Sequence, residues 1–201
     1  MANKRIHIIG GGTVFHVSNH LALCSPAYGK TVVDLYRLIR AADPPMDIVA
    51  HLTKMAKGAE SEVATLMRDQ RLRGMADFTG DETLETNADV ATLVGKIVND
   101  PRTKMVFMPV ALCDYEGYVT DGPNGPMPPG KYQPRLNSRD NPSVTFKLLS
   151  GDKIISRIRE SRKDIFLVGF KTTCGAREDE QYRSGLSLLK RSTGSPYTNN
   201  P

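Results

Sequence analysis

The chain has 201 residues, 39% of them hydrophobic and 24% charged, which is the composition of a single globular domain and excludes wholesale disorder. No apolar run approaches the ~20 residues that span a bilayer, and the N-terminal apolar run is too short for a signal peptide, so a cytoplasmic protein without a membrane role is expected. The net charge of +5 comes from interspersed residues with only 6% aromatics, a pattern that argues against a nucleic-acid partner and suits small anions.

In chain order, Arg5-Ile6-His7-Ile8-Ile9 is a β-branched run that ends in Gly10-Gly11-Gly12-Thr13, a buried strand entering a glycine loop. An irregular stretch follows. Thr31 to Ala42 then has helical apolar spacing and is stopped by Asp43-Pro44-Pro45. Asp47 to Leu52 reads as a second strand, and the strand–helix–strand unit predicts a right-handed parallel crossover. Lys57 to Arg73 reads as a surface helix, and Asp77 to Thr86 as loop with a short strand. Asn87 is positioned to cap a helix through Asn99, with Val90, Leu93, Val94, Ile97 and Val98 on one face.

Met105 to Ala111 is the third strand, with Pro109 expected at its end or at a bulge because proline cannot donate to the ladder. Glu116 to Asn141 collects prolines and glycines and reads as a long loop. Ser143 to Leu149 alternates as a strand, Gly151 to Glu160 suits a helix, Ile165 to Phe170 is a buried strand and Arg177 to Lys190 a final helix. The expected architecture is α/β, a Rossmann-like three-layer α/β/α arrangement with a mostly parallel sheet, formed by one domain over 1–201 with a Pro/Gly-rich loop at about 116–141.

Ligands of open α/β sheets bind outside the carboxyl ends of the strands. Three exits are candidates: Gly10 to Thr13, Asp114, and Lys171-Thr172-Thr173. Glycines let backbone amides approach phosphate oxygens, although such a cluster also serves as a plain tight turn. His16 and His20 have i,i+4 spacing but lack the glutamate and third ligand of a zinc protease, and they read as lining the loop. Cys24, Cys113 and Cys174 are too far apart for a Cys-x-x-Cys pair, so neither a disulfide framework nor a protein-held metal is expected. Cys113 reads as a structural thiol at a strand end, and His7 and His51 as packed strand histidines.

Taken together, several segments resemble the phosphopantothenoylcysteine synthetase family. Ile8-Ile9-Gly10-Gly11-Gly12-Thr13 is similar to its strand and Gly-Gly-Thr loop, and Val17-Ser18-Asn19-His20 to its Ile-Ser-Asn-His segment. Gly29-Lys30 resembles its Ser-Ser-Gly-Lys turn, Ala111-Leu112-Cys113-Asp114-Tyr115 its Ala-Val-Ser-Asp-Tyr strand end, and Leu167 to Lys171 its Val-Gly-Phe strand.

The resemblance implies CTP- or ATP-dependent activation of 4′-phosphopantothenate with Mg2+, an acyl-nucleotide intermediate, and its capture by cysteine in a homodimeric enzyme. It implies nucleotide contacts at Gly11, Gly12, Gly29, Phe170 and Asn199, and catalytic roles for Asn19 and Arg135. Ala111 and Asp114 would meet the pantothenate moiety. The family has a longer segment before its Ser-Asn pair, carrying an arginine for the substrate phosphate, where this chain has only Val14 to Val17. It also continues past the position of Pro201 into a basic strap. The alternative expectation is a non-catalytic nucleotide-binding or sensing protein on the same fold.

Overall fold

Arg5–Gly10 forms the first strand, β1, and its alternation decides the layering. Ile6 and Ile8 enter one apolar cluster while Ile9 enters another, as the two-residue period of a strand covered on both faces requires. The computed structural model describes residues 4–42, 44–59, 84–122 and 125–192. Of the expected Lys57–Arg73 helix only the start falls within them, and of Asp77–Thr86 only 84–86; Asn199 lies outside the described residues.

Past the glycine loop, Thr13–His16 (β2) and Ala22–Ser25 (β3) pair antiparallel, so the segment expected to be irregular is a hairpin. Helix α1, Lys30–Ala41, begins after Gly29, which has φ of 83° and gives no side-chain cap, and buries Val32, Val33 and Tyr36. Strand β4, Asp47–Leu52, then runs parallel to β1 from Arg5↔Asp47 to Gly10↔Leu52, the crossover read from the sequence. A single 3-10 turn, Lys54–Ala56, follows.

Helix α2, Asn87–Asn99, has the predicted bounds, but its cap is Thr86. The Thr86 hydroxyl accepts from Asp89 N while the Asp89 carboxylate accepts from Thr86 N, a reciprocal capping box. Asn87 is thereby released for another task. Thr86→Ala is expected to cost about 1 kcal/mol, measured by thermal melting.

Strand β5, Thr103–Met108, places Pro109 immediately beyond its end. Tyr115–Gly122 (β6) and Gly125–Met127 (β7) lie within the stretch expected to be loop, and Phe146–Ser150 (β8) pairs with β6. This antiparallel sheet has the order β7-β6-β8. Helix α3, Ile154–Ser161, strand β9, Phe166–Gly169, and helix α4, Glu178–Ser192, complete the described chain.

The main sheet has the order β4-β1-β5-β9 with every pair parallel. Val32, Val33 and Tyr36 of α1 cover one face, and Val90, Val94 and Ile97 of α2 with Ile154 and Ile158 of α3 cover the other. The chain therefore winds one way from β1 to β4 and the other way to β5, which sets a topological switch point between β1 and β5. Each fully buried aliphatic side chain in these layers contributes about 2 kcal/mol of transfer free energy. Arg162 donates to the carbonyls of Val98, Asp100 and Thr103 and so closes the C-terminal end of α2.

His7 and His51 stack between β1 and β4, with 5.3 Å between ring centroids. The Thr103 hydroxyl gives its hydrogen to Ile97 O at 2.8 Å, so it accepts from His7 Nε2, and His7 Nδ1 accepts in turn from His51 Nε2 at 3.0 Å. The His7 ring is thus held neutral. Burial, followed by the charge of Arg5, lowers its pKa to about 4. Unfolded chains bind that proton near pH 6.5, so this contribution is intact above pH 6.5 and is lost as pH falls towards 4. Stability measured by denaturant should drop by about 2 kcal/mol between pH 7 and pH 5, with a shallower fall in His7→Gln.

Candidate functional site

The carboxyl ends of β1, β4, β5 and β9 share one edge of the sheet, because all four strands run in the same direction. Gly10, Gly11 and Gly12 lie there, and each is closely packed; a Cβ on Gly10 would overlap a Val32 methyl group. Gly11 has φ of 97°, and a Cβ on it would overlap Thr53 Oγ1 and come within 2.9 Å of Ala56 Cβ. A Cβ on Gly12 would overlap Ser25 O and lie 2.7 Å from Ala27 N. Gly29 shares this surroundings, since a Cβ there would also reach Ala56 Cβ at 2.9 Å.

Gly12 N donates to Ala27 O and Thr13 N to Ala111 O, so two amides of the glycine loop already have partners. Thr53 Oγ1, by contrast, is buried beside Gly11 without a hydrogen-bond partner.

The switch point is closed by a direct join between the exits of β1 and β5. Gly12 and Ala111 form a parallel bridge, and Ala111 N donates to Gly11 O. Thr13 Oγ1 donates to Asn87 Oδ1 at 2.7 Å and accepts from Cys113 N at 2.9 Å. Asn87 Nδ2 donates to Cys113 O at 2.7 Å. The buried Cys113 thiol points to Thr13 O at 3.3 Å, the structural role read from the sequence.

Asp114, next along the chain, is exposed and pairs with Lys153 Nζ at 2.5 Å. Both side chains are two-thirds exposed, so this ion pair is weak and easily exchanged for a ligand. Phe170 is exposed just past the edge strand β9.

The β2–β3 turn that carries Asn19 is tethered to the Pro/Gly-rich segment that carries Arg135. Asn19 N donates to Gln133 O at 3.1 Å, and His20 Nε2 lies 3.2 Å from Leu136 O, so Arg135 sits between two tethered residues. The Asn19 side chain meets His20 Nδ1 at 2.9 Å. The same segment is fixed by Lys131, whose Nζ lies 2.6 Å from Glu85 Oε2, where Lys54 Nζ also arrives at 3.0 Å. Hydrogen bonding from Lys131, and then from Lys54, holds the Glu85 carboxyl at about 2.

Gly11, Gly12 and Ala111 are therefore joined directly, Gly29 shares Ala56 with Gly11, and Asn19 and Arg135 are linked through neighbouring backbone. Asp114 continues from Ala111, whereas Phe170 stands apart on the far side of β5. Sequence reasoning did not single out Asn87 as a tie, Thr53, or the Lys54–Glu85–Lys131 cluster. The signals available were a polar residue following each strand exit and a Thr-x-x-Asp box that frees the neighbouring asparagine.

A doubly wound sheet with its polar loops gathered over the switch point places the chain in the α/β class of folds. No protein-family model and no curated protein sequence matches the chain. Solved structures do. The DNA/pantothenate metabolism flavoprotein from Streptococcus pneumoniae aligns over 96% of this chain and 79% of its own, with 17% identity and a TM-score of 0.68. The C-terminal domain of the coenzyme A biosynthesis bifunctional protein CoaBC aligns over 94% and 73%, with 14% identity and a TM-score of 0.57. A Cab2 variant in complex with phosphopantothenate-cysteine aligns over 95% and 70%, with 12% identity and a TM-score of 0.67. The chain shares their fold, and the Rossmann-like α/β architecture expected from the order of strands and helices holds.

Proposed function

We propose that the chain is a phosphopantothenate–cysteine ligase of coenzyme A biosynthesis, using CTP or ATP through an acyl-nucleotide intermediate. The observation that carries the reading is the fold likeness over nearly the whole chain to the Cab2 variant in complex with phosphopantothenate-cysteine. In the reaction, a substrate carboxylate oxygen attacks the α-phosphorus of the nucleotide and pyrophosphate leaves. The cysteine amine then attacks the acyl carbon and the nucleoside monophosphate leaves.

On this reading Asn19 holds the acyl-nucleotide through its amide, and Arg135 faces the charge developing on the leaving phosphates. Gly11, Gly12, Gly29, Phe170 and Asn199 contact nucleotide, and Ala111 and Asp114 the pantothenate portion. Among the described residues no three His, Cys, Asp or Glu side chains converge as a metal site, so they offer no built protein cage for magnesium. Its ligands would be triphosphate oxygens and water.

Two further parts of the reading have their own support. A homodimer fits the small sheet, where edge strand β8 exposes Phe146, Leu148 and Leu149. A cytoplasmic location fits the free cysteines, two of them exposed, and no helix among the described residues is long and apolar enough to cross a membrane.

The test is pyrophosphate release with nucleotide, phosphopantothenate and cysteine together. Release should fall at least a hundredfold in Asn19→Ala and about tenfold in Asp114→Asn, each still folded. Absence of release with all three substrates rejects the ligase. A non-catalytic nucleotide-binding or sensing protein is the second reading, favoured by a β2–β3 hairpin that carries no Arg or Lys between Thr13 and Ser25. It requires nucleotide binding in calorimetry without turnover.

A further inference from the structure

Lys54, at the start of the turn after β4, and Lys131, in the Pro/Gly-rich segment, place their ammonium groups on the same oxygen, Glu85 Oε2. The third approach is His16 of β2, whose Nε2 lies 3.6 Å from Glu85 Oε1 and is buried without a hydrogen-bond partner. Among the described residues the two ammonium groups share this one carboxylate, and no second carboxylate pairs with either lysine.

Like charges on a single acceptor repel, and the shared Glu85 oxygen offsets only part of that repulsion, so the carboxylate is a weak competitor for a doubly charged anion. The lysine side chains are 38% and 45% exposed, so an incoming ligand can meet them. They lie beside the carboxyl edge of the sheet, since Lys54 follows β4 and Lys131 belongs to the segment tethered to the Asn19 turn. The hairpin between Thr13 and Ser25 supplies no Lys or Arg of its own.

We infer that Lys54 and Lys131 form a phosphate-binding pair whose ammonium groups Glu85 occupies in the absence of ligand, and that an arriving phosphate displaces the carboxylate and takes both ammonium groups onto its own oxygens. A dianionic phosphate gives each lysine a separate acceptor and more charge than one carboxylate provides. This assignment deepens the ligase reading by naming where a phosphate of one of its substrates goes, and it stands on the geometry of the pair.

Calorimetric titration of the full chain with inorganic phosphate at low ionic strength tests it. Wild type should bind one phosphate, Lys54→Gln and Lys131→Gln should each weaken binding at least tenfold, and Glu85→Gln should tighten it about tenfold. Lys54→Arg should keep binding within a few fold. No binding by wild type, or equal binding by the folded lysine variants, overturns the pair. If a lysine variant does not fold, Glu85→Gln decides, because it retains both lysines: tighter binding supports the assignment, and unchanged or weaker binding overturns it.

The source of the phosphate is read by comparing phosphopantothenate with pantothenate and CTP with cytidine. The preference that collapses in Lys54→Gln identifies the ligand, and collapse of neither overturns the pair. Phosphate binding without pyrophosphate release rejects the ligase reading and keeps the pair. Release that is unchanged in both lysine variants does the opposite.

Discussion

Gly11→Ala is expected to destabilise the fold by about 4 kcal/mol, combining backbone strain at a position that side chains rarely adopt with overpacking of a closed layer. At φ of 97° the backbone disfavours an L side chain, and the added Cβ has no free direction, with Thr53 Oγ1 on one side and Ala56 Cβ on the other. For a domain of this size the melting temperature should fall by roughly 8 to 16 °C. Thr53→Ala in the same background should recover part of the loss, since it removes the overlapping hydroxyl. Gly10→Ala is the useful comparison: its Cβ would meet a Val32 methyl group but has no positive φ to sustain. A Gly11→Ala protein that melts with wild type would mean that this packing is wrong.

Asn87→Ala is expected to cost about 2 to 3 kcal/mol and to loosen the β5 exit, because one amide serves three partners. Its oxygen accepts from Thr13 and Cys113, and its nitrogen donates to Cys113 O. Thr13 can turn to Ala111 O and Cys113 N keeps Thr13 Oγ1, so the orphaned group is the Cys113 carbonyl. Asn87→Asp keeps the acceptor, loses the donor and adds a half-buried charge, and should be at least as damaging. Melting reads the first effect and, on the proposed ligase reading, calorimetry with phosphopantothenate reads the second. Unchanged ligand affinity in a destabilised Asn87→Ala protein would restrict Asn87 to a purely structural role.

Strands β1 and β4 were legible because strands covered on both faces read as continuous apolar runs, as in Ile6 to Ile9 and Ile48 to Ala50. Strand β9, by contrast, was read as a buried strand but lies at the sheet edge with Phe166 exposed, because an apolar run alone does not tell a central strand from an edge strand. The β2–β3 hairpin was hidden by its length: Thr13-Val14-Phe15-His16 and Ala22-Leu23-Cys24-Ser25 are four-residue strands joined by a turn without the usual Asn-Gly pair. Strand β6 was masked by glycines, although Gly117 is a packing position where a Cβ would come within 2.8 Å of a Leu23 methyl. Thr86 and Asn87 are both good caps by type, and only the reciprocal bond to Asp89 decides between them. The candidate residues were legible as types following strand exits. Their ties were not, because Thr13 to Asn87 and Lys54 to Glu85 to Lys131 are contacts between segments that the sequence leaves far apart.

The small sheet enters and leaves the main body at one place. Gly151 N donates to Asp114 O at 2.9 Å, so residues 115–150 depart from and return to adjacent points between β5 and α3. Topologically that makes them an excursion within an ordinary β5–α3–β9 crossover, whose parallel strands pair without them. The excursion can therefore vary in length and surface across descendants of this fold at little cost to the sheet. Because it also carries Lys131 and Arg135, the ligand contacts proposed for those two residues can drift on one module while the scaffold that presents them stays fixed.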